Sequence, residues 1–324
     1  MSSASSQAQG HSESDGKVNL QLLPCGNIGI FDIGGKDAPS FLHRQLSQEI
    51  RNLQTGQGAS TCFLNKEGRI LLYFDLWKTA EGYQAILFES QKEQFFPLLD
   101  RVLFAEDVRI TDKTSQKACW ILFGEGVPAW FHRLTGGADC QPRSFHVMQA
   151  ESSAMSLFVM DWLVVPSLLL VIDGETPQVD PFFESLSIEQ ADWEQFHALR
   201  VEKGTPWPEF EVDETMIPYE CGLENAISVT KGCYVGQEII SRIHHLGKPP
   251  RMLRGLLIEG HDIPLRHQPV QDSKGTEVGK ILSACWSERL QSVIATSSIR
   301  AKACQPGTTL AVAGKTAQVA VFPF

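Results

Sequence analysis

The sequence predicts an α+β protein with antiparallel sheets that carry helices on one face. Two extended segments, Ile70 to Trp77 and Tyr83 to Phe88, are separated by a short turn and predict a hairpin. A helical pattern follows them, and the order strand, turn, strand, helix is typical of such a layered fold. After Pro249 and Pro250 the sequence changes to short β-prone runs divided by Gly and Pro. This pattern of short runs predicts a small antiparallel barrel or sandwich at the C-terminus.

Length and charge limit the classes of protein that fit. The 324 residues exceed the ~100–200 of one domain, so two or three folded units are expected. A net charge of −10 argues against binding nucleic acid or an anionic membrane with the whole surface. Residues 1–16 are Ser-rich, carry no residue able to anchor a core and lack the features of a secretory signal. We therefore expect a disordered tail on a cytoplasmic protein without a membrane partner.

Two helices are expected in the first region of the chain. Asp37 can cap the first, which would bury a stripe of aliphatic side chains. Ser90 and Glu93 have the spacing of a capping box at the start of the second.

A second α+β unit begins at Lys117. Its expected elements are a strand at Ala118 to Phe123, a helix at Pro128 to Leu134, and strands at Ser156 to Met160 and Leu168 to Ile172. A further helix is predicted from Ser187 to Lys203, with Gln190 completing a capping box and Gly204 ending it.

The segment Lys231 to Glu238 reads KGCYVGQE and is the strongest candidate for chemistry. Its two glycines allow a close approach between the backbone and a ligand, and the residues after them predict a helix. Cys233 would then lie near a helix N-terminus, beside Lys231 and Arg242, in a setting that favours the thiolate. The eight cysteines contain no CxxC pair, which predicts reduced thiols. The alternative for Cys233 is an ordinary buried cysteine.

Charge and aromatic residues nearby support a binding site. Between residues 231 and 254, five basic residues stand against the single acid Glu238, a net charge of +4 that predicts a local anion site. A solvated loop is the alternative, and a metal site formed by Cys233, His244 and His245 has no known ligand spacing. Aromatic side chains could stack on a planar heterocycle or pack in the core; they are Trp193, Phe196, Trp207 and Tyr234.

The KGCYVGQE segment resembles the signature K-G-C-[FY]-x-G-Q-E of the YgfZ-type folate-binding proteins, which are relatives of the glycine-cleavage T-protein, an aminomethyltransferase. The resemblance extends from about residue 20 and includes FLHRQLSQEI at 41–50, FLNKEGRILLYFDLW at 63–77, RVEKGTPWP at 200–208 and IPYECGL at 217–223. It implies a three-domain ring with a C-terminal β-barrel and a central tetrahydrofolate site. It also implies a role in maintaining iron-sulfur enzymes, including some that modify tRNA.

The resemblance also suggests how the chain is divided. After the tail at 1–16, residues 17–116 form an N-terminal α+β folate-binding region and 117–180 a second α+β unit. Residues 181–248 return to the folate-binding region, and 249–324 form the barrel.

Two departures from the T-protein concern its chemistry. The positions of its acidic pair, which contains the catalytic aspartate, hold Leu72 and Tyr73 here, and these side chains cannot act as the carboxylate. Its YTGE pterin-binding segment is replaced by MDWLVVP around Asp161.

The sequence thus predicts a folate-binding accessory factor with Cys233 as its reactive residue. The candidate cofactor-binding residues are Lys231, Gly232, Tyr234, Gln237, Glu238, Arg242, Trp193, Arg200 and Asp161. The substrate of the thiol is left open between a labile iron-sulfur cluster, a persulfide and formaldehyde.

The alternative is a one-carbon transferase whose base is Glu67, Asp75 or Glu238. A third hypothesis, direct tRNA binding, is disfavoured by the overall acidity. We expect a monomer whose partners are folate and iron-sulfur enzymes or assembly proteins.

Overall fold

The computed structural model describes residues 19–26, 28–150, 153–174, 188–247 and 249–324. The predicted tail at 1–16, together with Ser187 and Lys248, lies outside the described residues. The helices are α1 (Ala38–Gln45), α2 (Glu89–Asp100), α3 (Val127–Leu134), α4 (Trp193–Lys203) and α5 (Gln237–Leu246). None of the helices in this described part of the chain has the length and apolar character of a membrane span.

The first sheet has five strands in the order β3, β4, β5, β2, β6, and all its pairs are antiparallel. Their bounds are β2 (Gly29–Gly34), β3 (Gly58–Leu64), β4 (Ile70–Lys78), β5 (Tyr83–Leu87) and β6 (Arg109–Asp112). The predicted hairpin of β4 and β5 is confirmed. Helices α1 and α2 bury Phe41 and Phe95 in one cluster with the sheet residues Phe31 and Phe74.

Both predicted helix caps in this region are wrong. Asp37 lies at the N-terminus of α1 but makes no side-chain cap, because its carboxylate accepts a hydrogen bond from the backbone N–H of Asp107 at 2.8 Å. Helix α2 already begins at Glu89, so Ser90 lies within its first turn, and the residue that precedes the helix is Phe88.

The second sheet joins strands that are far apart in the sequence. Its order is β11, β1, β7, β10, β9, β8. The bounds are β1 (Gln21–Pro24), β7 (Lys117–Phe123), β8 (Phe145–Ala150), β9 (Ser153–Met160), β10 (Ser167–Asp173) and β11 (Glu189–Gln190). Strand β1 precedes the whole first sheet, yet it pairs antiparallel with β7 and parallel with β11. Helix α3 packs Trp130 and Phe131 against this sheet.

Helix α4 begins later than predicted. Residues 189–190 pair with β1 as a strand, so the helix starts only after Asp192, whose side chain accepts a hydrogen bond from the N–H of Gln195 at 2.8 Å. Asp192 and Gln195 form the capping box that was predicted at Ser187 and Gln190. The predicted end is confirmed, because Gly204 follows the helix with a left-handed φ of 79°.

The C-terminal region is a closed barrel of six strands in the order β12, β15, β14, β13, β16, β17. The bounds are β12 (Arg251–Ile258), β13 (Pro269–Gln271), β14 (Glu277–Ser287), β15 (Ser292–Arg300), β16 (Thr309–Val312) and β17 (Lys315–Ala320). Closure of the sheet excludes the sandwich alternative. The β-prone runs of the sequence correspond to the other five strands, whereas β13 has only three residues, too few to show a periodicity. The α+β class with antiparallel sheets and a C-terminal barrel is confirmed.

Candidate functional site

The loop that carries Cys233 leads directly into α5. Gly236 precedes the helix with a φ of 82°, and a Cβ at this position would lie 2.6 Å from the carbonyl oxygen of Asn65, so glycine is required. The side chain of Gln237 folds back and donates from Nε2 to the carbonyl oxygen of Lys231 at 3.3 Å. All eight cysteines lie within the described residues, and Cys233 is the only one that is exposed.

Lys231 lies beneath this loop with a buried ammonium group. Its Nζ donates to the carbonyl oxygens of His43 at 2.6 Å, Leu46 at 2.5 Å and Gln48 at 3.0 Å. It also lies 5.1 Å from the ring centroid of Tyr234. Burial lowers the pKa of Lys231 to about 8. These contacts tie the loop to the C-terminal end of α1.

An open cavity of about 560 Å³ surrounds the thiol. It is lined by Cys233, Tyr234, Gln237, Glu238, Ser241, Arg242 and His245. The structure thus brings five of the predicted site residues together. At the cavity, Arg242 pairs with Glu238 through an Nη2–Oε1 contact of 3.2 Å, and both side chains are largely exposed.

A second cavity, of about 400 Å³, is lined mainly by aromatic and aliphatic side chains. Its lining comprises Leu23, Pro24, Cys25, Gly26, Ile28, Phe88, Glu89, Trp193, Trp207, Glu209 and Phe210. We call it the aromatic cavity. It shares no lining residue with the cavity around Cys233. The aromatic cavity is formed by residues from β1 and the segment after it, from the end of the β4–β5 hairpin, and from α4 and the loop after α4.

The aromatic cavity combines flat faces with carboxylates. Trp193 is 42% exposed, and its ring centroid lies 5.9 Å from that of Trp207. Phe88 meets Trp207 edge to face, with centroids 4.4 Å apart. Glu209 has a φ of 78°, a conformation that costs a non-glycine residue of order 1–3 kcal/mol and is found preferentially at functional sites. Such a lining suits a planar heterocycle that carries N–H donors.

Arg200 and Asp161 line neither cavity. Arg200 is fully buried and donates to Glu211 Oε2 at 3.0 Å and to Ser283 Oγ at 2.9 Å. Glu211 also accepts from Thr296 Oγ1 at 2.6 Å, so this network joins α4 to the barrel. Asp161 is exposed and pairs with Lys203.

The carboxylates considered as a transferase base are placed differently from one another. Asp75 is buried and accepts from Ser60 Oγ at 2.6 Å, from Trp162 Nε1 at 3.3 Å and from Arg143. Its oxygens are therefore occupied by protein donors. Glu67 is exposed and Glu238 is paired with Arg242, while Leu72 and Tyr73, at the positions of the lost acidic pair, are buried in the core.

Among the described basic residues of the 231–254 segment, Lys231, Arg242 and Arg254 do not form one cluster. Lys231 is buried, Arg242 is paired with Glu238, and Arg254 donates to the carbonyl oxygens of Cys304 and Leu253. Across the described ranges, no group of three or more His, Cys, Asp or Glu side chains is arranged to hold a metal ion.

Sequence reasoning missed Phe88 and Glu209 of the aromatic cavity and His43 beneath the thiol loop. Phe88 was assigned only to a strand, and the unusual backbone of Glu209 has no sequence signal other than the prolines before it. His43 lies within the FLHRQLSQEI segment that carries part of the resemblance, and this was the one available signal.

Comparison with known proteins agrees with this architecture. A family model described as the glycine cleavage T-protein C-terminal barrel domain matches residues 251–323. The crystal structure of the glycine cleavage system aminomethyltransferase T from Bartonella henselae superposes with a TM-score of 0.83 at 17% identity, covering 94% of this chain and 86% of that one. The chain therefore has the fold of the aminomethyltransferase superfamily.

Sequence relatives refine this assignment. A chloroplastic protein of Arabidopsis thaliana, named as a transferase, is 26% identical over 304 residues, which is 90% of this chain and 68% of the relative. The tRNA-modifying protein YgfZ of Vibrio vulnificus is 26% identical over 235 residues, which is 70% of this chain and 67% of the relative. Together these findings support a YgfZ-type member of the T-protein-like superfamily, as the signature indicated.

Proposed function

We propose that this protein is a cytoplasmic, folate-binding accessory factor that supports the assembly or repair of iron-sulfur enzymes, including those that modify tRNA. The aromatic cavity is the observation that carries the folate part of the proposal. Its volume, its aromatic faces and its two carboxylates fit the pteridine of tetrahydrofolate, a flat ring system whose N–H groups need acceptors. Trp193 and Trp207 would hold the ring faces, and Glu89 or Glu209 would accept from its donors.

The glutamyl tail of folate requires a cation outside the apolar lining. Arg266 is exposed, and its guanidinium lies 5.2 Å from the ring centroid of Phe210, which lines the cavity. We assign the attraction of the tail carboxylates to Arg266, because Lys231 and Arg200 already donate hydrogen bonds to buried protein groups. Bound tetrahydrofolate supplies a carrier of one-carbon units.

Cys233 supplies the thiol in this proposal. It is exposed at its own cavity, near the N-terminus of α5. The cavity is wide enough to admit a group presented by another protein, which suits a factor that acts on partner enzymes.

Folate binding is tested by measuring the affinity for tetrahydrofolate by calorimetry. Trp193→Ala is expected to weaken binding about fivefold or more, since one stacked aromatic contact contributes about 1 kcal/mol beyond the area it buries. Phe104→Ala removes a side chain that is 87% exposed and is the matched control, expected to bind like the wild type. Absence of binding to the wild type, or equal affinities of the two variants, would contradict the assignment.

The role of Cys233 is tested in cells that depend on the protein. Cys233→Ala should fold and bind tetrahydrofolate normally but lose support of iron-sulfur enzyme activity. Normal client activity with this variant would overturn the thiol part and leave the folate part standing.

The alternative function, a one-carbon transferase, needs a carboxylate that can accept a proton from substrate. Asp75 is occupied by three donors, which disfavours it. Turnover of a folate-linked one-carbon unit that disappears with Glu238→Gln would favour this alternative.

A further inference from the structure

Strand β8 is the last strand of the second sheet, and among the described strands it pairs only with β9. Its outer side is used at its start, where the N–H of Phe145 donates to the carbonyl oxygen of Gly56 at 2.8 Å. Backbone groups alternate between the two sides of a strand, so those of Val147 and Gln149 point to the same outer side as those of Phe145. No described residue forms a backbone hydrogen bond with them on that side.

The sequence of β8 leaves this edge unprotected. Edge strands commonly carry charged residues or proline, which prevent pairing with another chain. Strand β6, at one edge of the first sheet, carries Arg109 and Asp112, whereas β8 reads FHVMQA and has neither a charged residue nor a proline. The side chain of Val147 is 63% exposed. The outer edge of β8 is therefore suited to accept a further strand.

A cavity of about 880 Å³ lies beside this edge, and we call it the edge cavity. Its lining includes Val147 and the residue opposite it on β9, Ser156. The remaining walls come from the end of β2, the segment before β3 and the turn between β4 and β5. The edge cavity shares no lining residue with the aromatic cavity or with the cavity around Cys233. It is therefore a separate site.

The described lining of the edge cavity is negatively charged. Asp32 and Glu81 are its carboxylates, and it contains no Lys or Arg. Asp32 is held in place by Gln84, whose Nε2 donates to Oδ1 at 2.9 Å, and Glu81 is exposed in the β4–β5 turn. The ammonium of Lys78 lies 4.3 Å from the ring centroid of Tyr83, but Lys78 is not part of the lining. This charge favours a basic ligand.

We propose that the outer edge of β8 binds an extended basic segment of another protein as an added strand. The segment would continue the short ladder that residues 56–58 form with β8, exchanging backbone hydrogen bonds with Val147 and Gln149. Side chains on one face of the added strand enter the edge cavity, where a Lys or Arg meets Asp32 and Glu81. This contact adds a protein-binding site to the proposed function and does not depend on it.

The test is fluorescence anisotropy with the full chain and a fluorescein-labelled peptide of alternating valine and lysine. Saturable binding is expected, with a Kd below about 1 mM. The same peptide with methylated backbone nitrogens should bind about fivefold more weakly or worse, because it cannot donate the hydrogen bonds of an added strand. A peptide of alternating valine and glutamate should also bind more weakly, because its charge matches that of the edge cavity.

Two variants with matched controls locate the peptide on the edge. Val147→Pro removes an outward N–H and should weaken binding of the lysine peptide about fivefold or more, whereas Val147→Thr keeps the N–H and should bind like the wild type. Glu81→Lys should weaken binding about threefold or more. Glu277→Lys makes the same change of net charge at an exposed position of the barrel and should bind like the wild type.

Absence of saturable binding up to about 1 mM, or equal affinities of the wild type, Val147→Pro and Glu81→Lys, would overturn the proposal. Equal affinities for the lysine peptide and its methylated form would overturn it on the wild type alone, whatever Val147→Pro does to the folding of β8. Equal losses in Glu81→Lys and Glu277→Lys would also overturn it, since they would indicate attraction to the net charge of −10 and not to this edge.

Discussion

Arg200 was predicted to bind a cofactor, and its burial leads to a different expectation. Replacing Arg200 by Met keeps most of the side-chain volume but leaves the carboxylate of Glu211 buried without its counter-charge. Breaking a buried ion pair in this way costs about 3–5 kcal/mol. Because the guanidinium also donates to Ser283 of the barrel, the loss should weaken the attachment of the barrel to α4.

The assay is urea denaturation followed by tryptophan fluorescence, with Arg266→Met as the matched control. Both arginines lie against the ring of Phe210, at 4.9 Å for Arg200 and 5.2 Å for Arg266, but only Arg266 is exposed. Arg200→Met should lower the midpoint by more than about 1 M urea, given a denaturant slope of about 3 kcal/mol per M. Arg266→Met should cost less than about 1 kcal/mol.

Equal midpoints for these two variants would refute the assignment of Arg200 to a structural network. A wild-type midpoint for Arg200→Met, combined with loss of tetrahydrofolate binding, would return Arg200 to the cofactor site.

Two further predictions concern pH and backbone conformation. Burial, and then the charge of Arg200, lower the pKa of His197 to about 3, so between about pH 6.5 and 3 only the unfolded state binds the proton. The free energy of unfolding should therefore fall by roughly 2–3 kcal/mol on acidification to about pH 4. In His197→Gln this loss, measured by urea titration at each pH, should be smaller. The same dependence on pH in the variant and the wild type would contradict the prediction. Gly236→Ala should destabilise at least about 1 kcal/mol more than Gly314→Ala: both have positive φ, but at position 314 a Cβ meets nothing within 4 Å. Equal melting temperatures would count against this strain.

Local patterns predicted the elements whose stability depends on neighbouring residues. The β4–β5 hairpin, α3, the end of α4 at Gly204 and most barrel strands follow from periodicity and turn residues. The start of α4 was wrong because residues 189–190 pair with β1, more than 160 positions earlier, and no local signal carries that contact.

The candidate site shows the same limit. KGCYVGQE pointed to Cys233 as a candidate, whereas nothing in the sequence indicated that Lys231 and Arg200 are buried. A sequence shows the charge of these side chains but not their partners, which are the carbonyl oxygens of His43, Leu46 and Gln48 for Lys231 and the carboxylate of Glu211 for Arg200.

The position of β1 constrains the order in which the chain can fold during synthesis. This strand emerges first, but its partners in β7 and β11 follow roughly one hundred and more than 160 residues later. Strands β2 to β6 are synthesised between β1 and its partners. They can pair into their sheet at that stage, since they pair only with one another. The strand pairs of the first sheet can therefore form while β1 still lacks its partners, and the wall of the aromatic cavity formed by Leu23 and Pro24 is completed only late.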